Sequence, residues 1–373
     1  MIFFAKYNAG GNDFIIIDDR KSVFLSSFAS SQESRNYIIS LCDRVNGFDP
    51  TSSLFGSLNI RKGDMGFGRF PANKIGADGL ILLSSPKTEN ILYYMSYFNA
   101  DGLLSSFCGN GSLCCAHFAL YLGLFKYVDF KDETKSSSAV TWEYIPDIGG
   151  GSLEINPLSN RPKRVVSGKH FFETKEGVFA FGSRLGIKDF ESFDPTYPEK
   201  YPNSTSWVKM LDVKEFKIDD TGIFINTGSP HYVIFKNDIN ITDIDVIHQG
   251  RQIRFSDRFK KDGTNVTFVN YNREGISIRT YERGVESETL SCGTGVVAAA
   301  LCTIILKLSN HKIHDKNGTS INVQTRGGKF QVDCNFDIEK FNNQEDYYTS
   351  GFSDICLLGK IEKNCDGYLP VII

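Results

Sequence analysis

Two glycine-flanked cysteines carry the chemistry legible in this chain: Cys108-Gly109-Asn110-Gly111 and Cys292-Gly293-Thr294-Gly295. A polar segment precedes each, FNADGLLSSF in one case and TYERGVESETLS in the other. A small-residue apolar run follows each, SLCCAHFAL and VVAAALCTII, so both cysteines are expected at the mouth of a buried helix. The first N–H groups of a helix have no internal partner, and the macrodipole adds partial positive charge there. Both effects favour a thiolate and predict a pKa below the ordinary ~8.5. The glycines let backbone approach a ligand, and the free N–H groups of Gly109-Asn110 and Gly293-Thr294 suit a carboxylate. Two helix ends on one carboxylate would also stabilise the charge that develops when the adjacent carbon loses its proton. Inverting that carbon needs a base on one face and an acid on the other. One thiolate and one thiol meet that need and exchange roles at each turnover. The motif pair by itself points to a racemase or epimerase that uses no cofactor.

Blander readings compete with this one. Buried cysteines are usually inert packing, which is the reading adopted for Cys115, Cys302, Cys334 and Cys356 on their apolar patterns. A zinc site from Cys108, Cys114, Cys115 and His117 is rejected because the spacing does not match common ligand sets, so no metal is expected. A Cys108–Cys292 disulfide is disfavoured by the compartment that the composition implies. There is no P-loop, and Gly66-Phe67-Gly68 is too little for a dinucleotide fingerprint.

The elements that must position these thiols alternate short strands with a few helices. IFFAKY, NDFIIID, GLILLSS and ILYYMSYFNA read as strands, with a helix from Ser30 to Asp43 between the second and third. The second half echoes this with strands GIFINTG, HYVIFK, NVTFVNYN and GISIRTYE and helices over Asp243 to Arg254 and Val296 to Leu308. The pattern is a weak internal duplication. Val45 to Asn73 and Phe190 to Ser206 read as surface insertions, Lys131 to Ala139 as a linker and Gly149-Gly150-Gly151 as a turn. With 373 residues, 41% of them hydrophobic and 23% charged, the composition is that of a soluble globular protein of two domains. A net charge of −3 gives no electrostatic case for nucleic acid or an anionic membrane as partner. No signal-peptide pattern is expected in MIFFAKYNAGGNDF, and the longest apolar run is too short to cross a bilayer. Nine scattered cysteines without framework spacing suit a cytoplasmic chain with reduced thiols.

With these motifs in order, the chain resembles the cofactor-independent diaminopimelate epimerases. The matching segments are Lys6 to Phe14 (KYNAGGNDF), Ile75 to Leu80 (IGADGL), Phe98 to Gly102 (FNADG) and Cys108 to Gly111. They continue with Asn226 to His231 (NTGSPH), Thr264 to Val269 (TNVTFV) and Tyr281 to Gly284 (YERG), and end with Glu288 to Gly295 (ETLSCGTG). The resemblance implies that Cys108 and Cys292 act as base and acid in turn. It implies that Gly109, Asn110, Gly293 and Thr294 bind the carboxylate at the reacting centre. Asn12, Asn99, Asn265, Glu282 and Arg283 would grip the substrate, in particular its distal amino-acid end. His231 would tune the cysteines, with Glu282 in an auxiliary role. Such a set suits a long zwitterion, since Arg283 can fork a carboxylate while Glu282 and the amide oxygens accept from an ammonium. Ser229 stands where the family usually has Asn, so one substrate contact is expected to be lost, shifted or bridged by water.

The resemblance implies an α/β (α+β) fold of two pseudo-symmetric domains, each a β-barrel-like sheet around a central helix, with the site in the cleft. Residues 1–139 plus 348–373 would form the N-terminal domain with Cys108, and 140–347 the C-terminal domain with Cys292. It also implies a homodimer, no cofactor, and interconversion of L,L- and meso-diaminopimelate in lysine and peptidoglycan-precursor synthesis. Three rivals remain: a proline, hydroxyproline or other amino-acid racemase of the same fold, a phenazine-type isomerase without the cysteine pair, and a non-catalytic diaminopimelate-binding protein.

Overall fold

The computed structural model describes residues 2–28, 30–47, 59–60, 74–105, 107–124, 170–184, 203–272, 275–306, 313–314, 318–336, 342–344, 347–349 and 351–369. The first half contains β1 (Ile2–Ala9), β2 (Asn12–Asp19), α1 (Val23–Ser26), α2 (Ser31–Cys42) and β3 (Asn59–Ile60). It continues with β4 (Gly79–Ser84), β5 (Tyr94–Asn99), α3 (Gly109–Tyr121), β6 (His170–Thr174), β7 (Gly177–Arg184) and β8 (Asn203–Lys209). The second half begins with β9 (Glu215–Ile218), β10 (Ile223–Asn226), β11 (Pro230–Phe235), α4 (Val246–Arg254), β12 (Asn265–Asn272), β13 (Gly275–Glu282) and β14 (Ser287–Thr289). It ends with α5 (Gly293–Ile305), β15 (Ile313–His314), β16 (Gly318–Gln324), β17 (Lys329–Phe336), β18 (Asn342–Gln344), β19 (Tyr347–Thr349) and β20 (Phe352–Leu369).

Pairing closes eight strands into a barrel, β1-β2-β4-β5-β6-β7-β8-β20 and back to β1. Successive pairs from β1 to β7 run antiparallel, parallel, antiparallel, parallel, antiparallel. The ladder β10-β11-β12-β13-β16-β17 repeats that series, so the duplication is a repeat of topology. In each half a helix bridges the first parallel pair, α2 between β2 and β4 and α4 between β11 and β12. The long strand β20 joins the halves, its start paired with β17 and its end with β1.

Burial on both faces explains why these strands read as nearly continuous apolar runs. In β2 and β4, Phe14, Ile16, Ile81 and Leu83 point inward to the core around α3. Their neighbours Ile15, Ile17, Leu80 and Leu82 pack outward under Tyr37, Ile38 and Leu41 of α2. The second half does the same, with Tyr232, Ile234, Val266 and Phe268 facing Val246 of α4. Helices α3 and α5 are buried from Gly109 to Leu120 and from Gly293 to Ile304, with no polar stripe. Their Gly, Ala, Ser and Cys content lets them fit inside a ring of strands at close-packed density.

Strand pairing places β6, β7 and β8 in the first ring. The tail of the supposed insertion at 190–206 is likewise β8, with Ser206 fully buried. Helix α5 starts at Gly293, before the Val296 expected from hydropathy, because its glycines belong to the helix itself. Within 45–73, Asn59–Ile60 pairs with β20, while most of that stretch, the linker at 131–139, the turn at 149–151 and residues 190–202 lie outside the described residues. No described helix is long and apolar enough to cross a membrane.

Candidate functional site

Cys108 is the N-cap of α3 and Cys292 the N-cap of α5, both in extended conformation. The Cys108 sulfur accepts from Gly111 N at 3.4 Å. The two helix starts back onto each other through glycine, since a Cβ added to Gly109 would stand 3.5 Å from Gly293 Cα. Both sulfurs lie within the electrostatic reach of the Glu282 carboxylate, and Cys292 also feels Cys108. Burial pushes the Cys108 thiol up to about 12; N–H bonds from Gly111 and Asn110 pull it down, while Glu282 raises it further. Burial raises Cys292 more strongly still, with Glu282 adding to it and the Thr294 hydroxyl and Gly295 N–H opposing. The helix starts act in the expected direction, but desolvation outweighs them, so the expected lowering of the thiol pKa is corrected.

Thr294 connects Cys292 to His231. Its hydroxyl lies 3.3 Å from Cys292 Sγ and 2.9 Å from His231 Nε2. On the far side of the ring, Nδ1 meets Thr267 Oγ1 at 3.2 Å. Burial lowers His231 to about 3, with the Arg283 charge adding to the effect. The imidazole is therefore neutral and orients Thr294, donating from one nitrogen and accepting at the other. Parallel pairing of β11 with β12 sets His231 opposite Asn265. Asn265 donates from Nδ2 to Ser229 Oγ at 2.9 Å and Pro230 O at 2.8 Å, and accepts from Arg283 N at 2.8 Å. Ser229 thus supports the Asn265 amide. Arg283 is exposed and donates to Asp262 O at 2.8 Å. Glu282 has its pKa raised by burial, opposed by Thr289 and reinforced by Asp78.

From the first half, Asn12 opens β2 and donates to Asp78 Oδ2 at 3.0 Å, while its own Oδ1 accepts from Asn110 Nδ2 at 2.9 Å. Asp78 is held by Arg44 at 2.7 Å. Arg44 also pairs with Asp13, which Lys6 meets at 2.9 Å. Burial opposes charge on Asp13, yet Arg44 and Lys6 outweigh it and hold the carboxyl below its usual range. Asn99 lies on the exposed end of β5, tied through its backbone to Leu103 and Gly102 and paired across from Gly79, which follows Asp78. The other twelve candidates share the region around the two helix starts and the end of β13. Sequence reasoning gave no role to Arg44, Asp78, Thr267 or Ser291. Asp78, Thr267 and Ser291 lie within the matching segments, but nothing local distinguishes them.

Two helix starts with cysteine N-caps, a buried neutral histidine and a carboxylate felt at both sulfurs are an arrangement suited to proton transfer. The family model described as diaminopimelate epimerase matches residues 223–349. A diaminopimelate epimerase of Flavobacterium psychrophilum is 31% identical over 339 residues, covering 91% of this chain and 93% of that protein. One from Aquifex aeolicus is 30% identical over 341 residues, covering 90% and 91%. Among solved structures, a phenazine biosynthesis protein of the PhzF family from Bacillus anthracis matches with TM-score 0.55 and 10% identity, covering 99% of both chains. A probable proline racemase from Agrobacterium radiobacter K84 matches with TM-score 0.53 and 12% identity, covering 100% and 93%. At such identities the structural likeness shows the fold.

Proposed function

Because the chain belongs to the diaminopimelate epimerase family, we propose that it interconverts L,L- and meso-diaminopimelate through Cys108 and Cys292. The observation that carries this reading is the pair of cysteine-capped helix starts backed against each other, with the Glu282 charge felt at both sulfurs. One thiolate takes the α-hydrogen as a proton, and the electron pair left on carbon spreads into the α-carboxylate. Backbone N–H groups of Gly109, Asn110, Gly293 and Thr294 hold that carboxylate where the charge accumulates. The opposite thiol delivers its proton to the other face. The sulfurs end with their states exchanged, ready for the reverse reaction.

The raised thiol pKa values fit this chemistry in one respect, since a thiolate of high pKa is a stronger base toward a carbon acid. Its formation at neutral pH needs positive charge, which the α-ammonium of a bound amino acid brings to the pocket beside Glu282. Asn265, Arg283 and Glu282, with Asn12 and Asn99 on the opposite wall, are read as the grip on the distal amino-acid end. His231 and Thr294 orient Cys292. We place the enzyme in the cytoplasm, in keeping with nine free cysteines, and expect a homodimer that needs neither metal nor cofactor. Its place would be lysine and peptidoglycan-precursor synthesis. The test is incubation of purified protein with L,L-diaminopimelate, L-proline and trans-4-hydroxy-L-proline, followed by chiral chromatography. Conversion of diaminopimelate alone is expected. Inversion of proline would favour a racemase of the same fold, and binding without inversion a non-catalytic protein.

A further inference from the structure

Helices α3 and α5 meet at their starts through glycine, which allows close approach but provides no side chain to interlock. Directional bonds must therefore fix how one half sits against the other at this point. Ser291 makes two of them. It is 3% exposed and directly precedes Cys292. Its hydroxyl donates to Gly10 O in the β1–β2 turn at 2.6 Å and accepts from Asn110 Nδ2 on α3 at 2.9 Å. One residue is thus bonded covalently to one sulfur-bearing residue and by hydrogen bond to the helix start that carries the other.

The bonds continue into the first half. Asn110 Nδ2 also donates to Asn12 Oδ1, and Asn12 is held by Asp78 and Arg44. The orientation of the Asn110 amide is set by these two acceptors, at the expense of its Oδ1, which is buried with no hydrogen-bond partner among the described residues. Beside the serine, Gly327 N donates to Leu290 O at 2.9 Å, and a Cβ on Gly327 would strike the Gly10 carbonyl.

We propose that Ser291 is a positioning residue that locks the two halves in register, so that the two thiols address one carbon from opposite sides. This rests on the two-thiol reading of the site. Misplacement of a reacting group by about 1 Å can cost roughly 100-fold in rate, while the grip on the substrate's far end, which comes from Asn265 and Arg283, stays in place. The experiment is steady-state kinetics of S291A and S291T, with thermal melts beside them. For S291A, kcat should fall about tenfold or more with KM within about twofold of wild type, and S291T, which keeps the hydroxyl, should recover most of the loss. S291C, which keeps the volume but weakens the donor, is read in the same way should S291A fail to fold. Wild-type kcat with a lowered melting temperature would overturn the proposal in favour of a purely structural serine. A raised KM with unchanged kcat would overturn it in favour of substrate binding. A wild-type protein that does not epimerise diaminopimelate would overturn the proposed function and this inference with it, a result distinct from an active wild type with an indifferent S291A.

Discussion

Replacing Thr294 by Val removes one hydroxyl and almost nothing else, and it tests the link between Cys292 and His231. The hydroxyl lies 3.3 Å from Cys292 Sγ and 2.9 Å from His231 Nε2, with Thr294 only 6% exposed. Valine fills the same volume while the Thr294 N–H, proposed to bind carboxylate, is unchanged. A hydrogen bond to a charged group contributes about 1.5–3 kcal/mol, which corresponds to roughly 10- to 150-fold in rate. Sulfur is a weak acceptor, so the expectation lies at the lower end, about tenfold. The loss should fall on kcat, with KM nearly constant. The equilibrium constant belongs to the two isomers in solution, so kcat/KM must fall by the same factor in both directions. Thr294→Ser should recover most of the activity. The assay is initial rates from L,L- and from meso-diaminopimelate, with thermal melts to establish that the variant is folded. A T294V enzyme within about twofold of wild type would refute the reasoning, because the hydroxyl would then carry no charge stabilisation at Cys292.

Two further outcomes follow from the protonation states. Iodoacetamide labelling of Cys108 and Cys292 in the free protein, followed site by site by mass spectrometry, should accelerate about tenfold per pH unit up to pH ~10. A plateau near neutrality would contradict the burial-raised thiols. Stability should peak between pH ~6.5 and ~8.5 when urea midpoints are compared. The folded pKa of His231, lowered to about 3, lies below its unfolded value, so its contribution is complete above pH ~6.5 and is lost as pH falls, at up to about 1.4 kcal/mol per pH unit. The thiols of Cys42, Cys108 and Cys334, raised to about 12, contribute stability that is complete below pH ~8.5 and lost as pH rises. A midpoint constant from pH 5 to 10 would count against this.

Much of the fold was legible because its signals are local. The runs after Cys108 and Cys292 are apolar all round, which is what a helix enclosed by strands requires, and β2, β4, β11 and β12 are buried on both faces. The joining of β6 to β8 to the first ring is not legible, for a nonlocal reason. Strands β6 to β8 follow long stretches of unrelated composition, and nothing in their residues says that they close onto β5 and β20. The thiol pKa was misjudged for a similar reason, since the helix start is visible in sequence while the burial that outweighs it is not. The bonds that brace the site are the least legible of all. Ser291 reaches Gly10 across 281 residues, and Asn12 reaches Asp78 across 66. Serine, aspartate and arginine are common enough on any surface that their types alone give no warning of such roles.

The most direct test of the central claim is turnover of L,L-diaminopimelate in deuterated water by the wild type and by the Cys108→Ala and Cys292→Ala proteins. The two-thiol account predicts that wild-type product carries solvent deuterium at the inverted α-carbon and that each alanine protein loses epimerisation while remaining folded. Product free of α-deuterium, or full activity in either alanine protein, would contradict it.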